Sequence, residues 1–260
     1  MHGLFDDFSL DFFSLKKEVA IITGGCGGLG RALTAALAKA GANLFIVDLK
    51  EPDEDYISHI EKSGVSVEFM CIDITENGAA EKIFRRCMNK FGRIDILINN
   101  AGICKINNPL KFDRTDWDPM INLNLTAAFE MSREAIKFFI PQRKGKIINV
   151  CSILSFFGGR WSPGYSATKH ALVGLTRSYA DDFSEYNIQI NGIAPGYCLT
   201  DMTTVLHGNP KLKSLITNHI PAQRWGEAKD LMGAAVFLSS RASDYVSGHI
   251  LVVDGGYSVR

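Results

Sequence analysis

Cysteine is sparse and scattered in this chain: the six residues at 26, 71, 87, 104, 151 and 198 contain no Cys-x-x-Cys pair. That spacing argues against zinc ligation and against a disulfide framework, so reduced thiols in a cytoplasmic setting are expected, with no metal. An excess of charge is lacking too. Lys plus Arg and Asp plus Glu balance at 28 each, which gives no reason to expect a nucleic acid or another polyanion as partner. No apolar run approaches the roughly 20 residues of a membrane span, and the opening Met1-His2-Gly3-Leu4-Phe5-Asp6-Asp7 is acidic where a signal peptide would be basic. What the chain does have is apolar substance. With 46% hydrophobic content over 260 residues, it can build one sizeable α/β core.

Short β-branched runs alternate with helical stretches, the pattern of a parallel sheet covered on both faces. Strands are predicted over Val19–Thr23, Asn43–Asp48, Val65–Cys71, Ile94–Asn99, Lys146–Val150, Ile188–Ala194 and Ile250–Val253. Seven strands fit one doubly wound sheet, preceded by an extension over residues 1–14. No linker or repeat divides residues 15–260. The least regular stretch, Tyr197 to Ala222, carries Gly208-Asn209-Pro210 after a strand. It reads either as a mobile lid over a site or as a packed surface excursion.

The first predicted strand runs into Thr23-Gly24-Gly25-Cys26-Gly27-Gly28-Leu29-Gly30, and an alanine-rich helix over Arg31 to Ala40 follows, closed by Gly41. Glycines between a strand and a helix let the backbone approach a pyrophosphate, and the helix N-terminus offers unpaired N–H groups to the anion. A triphosphate loop would need Lys then Ser or Thr where Arg31-Ala32 stands, so a dinucleotide is the expected ligand. Asp48 ends the second strand. An acid there accepts ribose hydroxyls and repels a 2′-phosphate, which favours NAD over NADP. Lys50 lies close enough to blur that preference, and Asp48 can alternatively cap the next loop.

Further along stand Ser152, Tyr165 and Lys169. Lys169 lies one helical turn after Tyr165, in a helix expected to begin near Ser162-Pro163, so both project from one face. A free phenol titrates near 10, and bringing it near 7 requires about 4 kcal/mol of preference for the phenolate. A neighbouring cation supplies much of this. The trio therefore suits proton transfer at a carbonyl or carbinol, with Lys169 expected to lower the pKa of Tyr165.

Taken in order, Thr23-Gly24-x-x-x-Gly28-x-Gly30, Asn99-Asn100-Ala101-Gly102, Ser152 with Tyr165-x-x-x-Lys169, and Pro195-Gly196 resemble the short-chain dehydrogenases/reductases from about Leu15 onward. The likeness implies a single-domain Rossmann fold and an enzyme, usually a homotetramer or dimer, that moves a hydride between NAD(H) and a secondary alcohol or ketone. It implies Tyr165 as acid/base, Lys169 as holder of the nicotinamide ribose, the positive ring of the oxidised nicotinamide as a second aid to the phenolate, and Ser152 as donor to the substrate oxygen. Asn124 matches the family asparagine that supports a water beside the lysine, with Asn122 as the neighbouring alternative. Leu29 stands where isoleucine is commonest. Asp73 with Ile74 matches the adenine contact, Asn100, Ala101 and Gly102 the end of the fourth strand, and Thr200 after Pro195-Gly196 the contact to the nicotinamide amide.

Within that family, Phe8-Ser9-Leu10, Met120 to Asn124, Ser155-Phe156-Phe157-Gly158-Gly159, Ile193 to Tyr197 and Ile220 to Gly226 are similar to gluconate 5-dehydrogenases and 2-deoxy-D-gluconate 3-dehydrogenases. A sugar acid is the implied substrate. Lys105 and Arg160, on loops after the fourth and fifth strands, are the candidate partners of its carboxylate, or else a solvated basic surface. A 3-oxoacyl-carrier reductase is the alternative enzyme, and a dinucleotide sensor without chemistry is the alternative from another class.

Overall fold

The structure, a computed structural model, describes residues 8–260. The first seven residues of the expected extension lie outside the described residues. Strands β1 (Val19–Thr23), β2 (Asn43–Asp48), β3 (Val67–Cys71), β4 (Ile96–Asn99), β5 (Gly145–Val150), β6 (Ile188–Pro195) and β7 (Ile250–Val253) form one sheet in the order 3-2-1-4-5-6-7. Every pairing is parallel. Between them run helices α1 (Gly28–Ala40), α2 (Glu54–Glu61), α3 (Ala79–Phe91), α4 (Arg114–Ile121), α5 (Ala128–Gln142), α6 (Pro163–Phe183), α7 (Thr204–Gly208), α8 (Pro210–His219) and α9 (Met232–Ser239).

Strand side chains alternate between faces, and both faces are buried. On one face Ala20, Ile22, Ile46, Ile98 and Ile148 pack against Leu33 and Leu37 of α1 and Leu238 of α9. On the other, Val19, Ile21, Phe45, Leu97 and Ile147 meet Phe84 of α3 and Met131 and Phe139 of α5. Continuous apolar runs are what a strand buried on both faces requires. β3 and β4 begin two residues later than their apolar runs do. Side-chain oxygens intrude at both starts: Asn43 Oδ1 accepts from Ser66 N at 2.9 Å and Asp95 Oδ2 from Val19 N at 2.8 Å.

The stretch after β6 is more regular than its sequence suggests. It holds a 3-10 turn over Asp201–Thr203, then α7 and α8. Gly208-Asn209-Pro210 marks the stop of one helix and the start of the next, because the Asn209 side chain accepts from Lys211 N and Leu212 N while Pro210 occupies the first turn. The expected start of α6 at Pro163 shares only the proline in the first turn, since Ser162 makes no side-chain cap hydrogen bond.

Candidate active site

The strand order reverses between β1 and β4, and a cavity of about 720 Å³ opens there at the carboxyl ends of the strands. Its glycine-rich wall is shaped by close approach. A Cβ on Gly30 would stand 1.9 Å from Gly24 O, so α1 packs onto the turn only with glycine there. Gly27, which caps α1, supplies no side-chain hydrogen bond to the helix's first amides, and a Cβ built on it meets nothing within 4 Å. Unpartnered amides beside open space fit a pyrophosphate.

Of the expected cofactor residues, Gly24, Gly28, Leu29, Asp48, Asp73, Ile74, Asn100, Ala101, Gly102, Pro195, Gly196 and Thr200 line the cavity, together with Tyr165 and Lys169. Thr23 and Gly30 lie behind the lining. Thr23 is buried, and its Oγ1 accepts from Asn100 N and Ala101 N, both at 3.1 Å. Asn100 Nδ2 donates to Thr23 O and Gly24 O, so the ends of β1 and β4 are tied together. Asp48 Oδ2 accepts from Cys26 N at 2.9 Å, and its Oδ1 from Leu49 N and Lys50 N at 2.8 and 3.2 Å. The acid thus clasps the glycine turn as well as facing the cavity. Asp73 folds its carboxylate back onto Thr75.

At the other end of the cavity α6 presents Tyr165 and Lys169 to Ser152, which follows β5. Lys169 is 4% exposed, and its Nζ donates to Val150 O at 2.6 Å and lies 5.5 Å from the centre of the Tyr165 ring. Burial lowers its pKa. Burial raises that of Tyr165, with the Cys104 thiol next in effect and the Ser152 hydroxyl opposing. Lys169 stands beside the phenol as its spacing predicts, while burial of the phenol opposes its acidification. Ser155 braces the trio, since its Oγ donates to Lys169 O at 2.8 Å and accepts from Ser152 N at 3.2 Å.

Asn124 occupies a single wide turn of π-helix over Asn122–Ala127 between α4 and α5, a rare feature that concentrates at functional sites. It is buried, while Asn122 is exposed. Its Oδ1 accepts from Ile103 N, and its Nδ2 donates to Ile103 O and Thr168 Oγ1. The amide therefore fixes the loop after β4 against α6. Lys105, on that loop, is exposed and lines the cavity. Arg160 is not among the lining residues; its guanidinium lies 4.6 Å from the centre of the Trp161 ring.

Several lining residues carry no role in the sequence reading, Cys104, Asp201 and Tyr197 among them. Cys104 Sγ lies 3.2 Å from Ser162 Oγ, Asp201 opens the 3-10 turn that follows β6, and Tyr197 follows Pro195-Gly196 directly. Only the position of Tyr197 offered a signal. Among the described residues, no group of three or more His, Cys, Asp or Glu is placed to hold a metal ion, and no helix is long and apolar enough to cross a membrane.

The family model adh_short_C2, described as "Enoyl-(Acyl carrier protein) reductase", matches residues 25–258. The chain belongs to the short-chain dehydrogenase/reductase family. It is accordingly an oxidoreductase that works with a nicotinamide dinucleotide on hydroxyl or keto groups. It is 60% identical over 253 residues to the uncharacterized oxidoreductase YgcW of Escherichia coli K12, with 97% of each chain covered. It is 41% identical over 252 residues to the 2-dehydro-3-deoxy-D-gluconate 5-dehydrogenase of the same organism, covering 96% of this chain and 99% of that one. Among solved structures, a gluconate 5-dehydrogenase from Burkholderia cenocepacia J2315 in complex with NADP and tartrate superimposes with a TM-score of 0.92 at 34% identity, covering 97% of this chain and all of that one.

Proposed function

We propose that this short-chain dehydrogenase/reductase interconverts a hydroxyl and a ketone on a sugar acid of the gluconate or 2-deoxy-gluconate type, using NAD(H). The observation that carries the catalytic assignment is Lys169, a buried cation held by one carbonyl beside Tyr165. Such a charge is costly to keep unless the site uses it. When bound, the nicotinamide supplies or accepts the hydride, and its oxidised ring adds positive charge near the phenol. Tyr165 gives its proton to the substrate oxygen during reduction and takes it back during oxidation. Ser152 donates to the same oxygen as charge develops on it. Lys169 favours the phenolate and holds the ribose, and Asn124 keeps the loop carrying Cys104 and Lys105 in place. Lys105 pairs with the substrate carboxylate.

The sugar-acid reading is supported by the names of the Escherichia coli and Burkholderia relatives and by the hydroxy acid, tartrate, in the latter's structure. Asp48 favours NAD. NADP is the second reading, favoured by the NADP of the Burkholderia relative and by Lys50 at the cavity's edge. A cytoplasmic homotetramer in which residues 197–222 move over the bound substrate completes the proposal. The test is turnover of the purified protein with NAD⁺ or NADP⁺ across gluconate, 2-deoxy-gluconate and polyols, followed by reduced-cofactor absorbance. Oxidation of a sugar acid supports the reading. Turnover of polyols alone, or of 3-oxoacyl thioesters in reverse, overturns the substrate class, and no turnover at all favours a sensor.

A further inference from the structure

A polyhydroxy acid presents more polar groups than the reacting carbon's own oxygen, which Ser152 and Tyr165 serve. Tyr197 is a second phenol in the same cavity, contributed by the segment after β6. It is held from several sides. Its carbonyl accepts from Gly226 N at 2.8 Å, and its ring centre lies 5.5 Å from Trp225 and 5.3 Å from Tyr257, each tilted edge-on by about 60°. Trp225 is in turn buried and donates from Nε1 to Thr217 Oγ1 at 3.0 Å on α8. Tyr257 packs on His219 at 4.4 Å and on Phe157 at 6.4 Å.

Tyr197, with Gly196 and Cys198, also forms the wall between the main cavity and a second one of about 240 Å³ bordered by Arg224, Asp230 and Asp254. Burial pushes the phenol up to about 12, with Tyr257 next in effect, so it remains a neutral donor at any working pH. Cys104, Tyr165 and Tyr197 line the same cavity.

We propose that Tyr197 is a specificity-determining residue whose hydroxyl hydrogen-bonds a hydroxyl or the carboxylate of the substrate away from the reacting carbon. The aromatic cage of Trp225 and Tyr257 fixes that hydroxyl in advance, so the C-terminal segment helps select the substrate. The inference rests on the sugar-acid reading above, in which the substrate has such groups to offer.

Tyr197→Phe is the test, because it keeps the ring in its cage and removes the one donor. KM for the sugar acid should rise about tenfold, the loss of one hydrogen bond to a charged or polyhydroxy ligand. The kcat, the KM for a plain cyclic ketone without further hydroxyls, and NADH affinity by fluorescence should stay within about twofold. An unchanged KM for the sugar acid overturns the inference, and so does a parallel loss on both substrates, which would mark Tyr197 as structural only. If the wild type ignores sugar acids but oxidises a polyol such as sorbitol, the proposed substrate class fails. The same comparison on the polyol then decides Tyr197, with a tenfold rise supporting it and no change overturning it.

Discussion

The two ends of the parallel sheet treat charge in opposite ways. At the amino end, below β1, β4 and β5, charges are matched: Asp95 takes Val19 N and both arms of Arg93, Lys144 pairs with Glu18 at 2.5 Å, and Lys146 with Asp244 at 2.8 Å. At the carboxyl end, Lys169 is just as buried as Lys146, yet among the described residues it makes no ion pair. Matched charges at one end and an unmatched one at the other separate scaffold from chemistry within a single sheet. Charges of the first kind specify where strands begin. A charge of the second kind is retained because a ligand will complete its surroundings.

Mutations at the two ends should therefore fail differently. Tyr165→Phe should lower kcat/KM by about 10² to 10⁴ while leaving the urea midpoint and cofactor affinity nearly unchanged, because it removes a proton and little volume. Activity within about threefold of wild type would remove Tyr165 from the chemistry. Asp95→Asn should do the reverse. It breaks a buried carboxylate away from a backbone N–H and from a half-exposed Arg93, a loss of about 2 kcal/mol in unfolding free energy, with kcat unchanged. A changed kcat without a stability loss would show that the amino end communicates with the site.

A smaller effect is set by pH. Because burial raises the Tyr165 pKa, the protonated phenol dominates at neutral pH. Ketone reduction needs the proton and alcohol oxidation needs the base. The kcat/KM for oxidation should then climb by up to about tenfold per pH unit from neutral into the alkaline range, while that for reduction holds level and falls only as the phenol ionises. Rate profiles measured in both directions check this, and an oxidation profile flat from neutral pH upward would mean that some other group accepts the proton.

Much of the fold was legible because a strand covered on both faces must be a continuous apolar run, and β1, β2 and β7 coincide with theirs. The strand starts that were misjudged depend on Asn43 and Asp95, whose side chains replace backbone partners in a way no periodicity reveals. The spacing of Tyr165 and Lys169 correctly put a cation beside a phenol. It could not show how far desolvation of the half-buried phenol opposes its acidification. Loop position brought Lys105 to the cavity but not Arg160, since it fixes neighbourhood and not aim: Arg160 turns to Trp161, itself in a left-handed conformation with φ of 62°. Tyr197 escaped notice because the rings that make it rigid, Trp225 and Tyr257, are distant in sequence.

The smallest expected effect concerns the far end of the cavity, where Asp48 is the acid nearest in role to the matched charges of the amino end. Replacing Asp48 with Ser and Gly27 with Arg together should move preference from NAD(H) toward NADP(H), by removing a repulsion and adding a phosphate partner. The two changes are not equally clean. Asp48 holds three backbone N–H groups, so Asp48→Ser loosens the glycine turn along with the charge. Gly27 has an extended backbone, φ −137° and ψ 165°, and open space where a Cβ would stand, so arginine fits without strain. Gly27→Arg alone should therefore raise kcat/KM for NADPH by about tenfold, the worth of one partly solvated ion pair, and leave NADH nearly untouched. A wild type that already works better with NADPH would assign the 2′-phosphate to Lys50; Lys50→Ala should then abolish that advantage, and Asp48 would be left with the structural role alone.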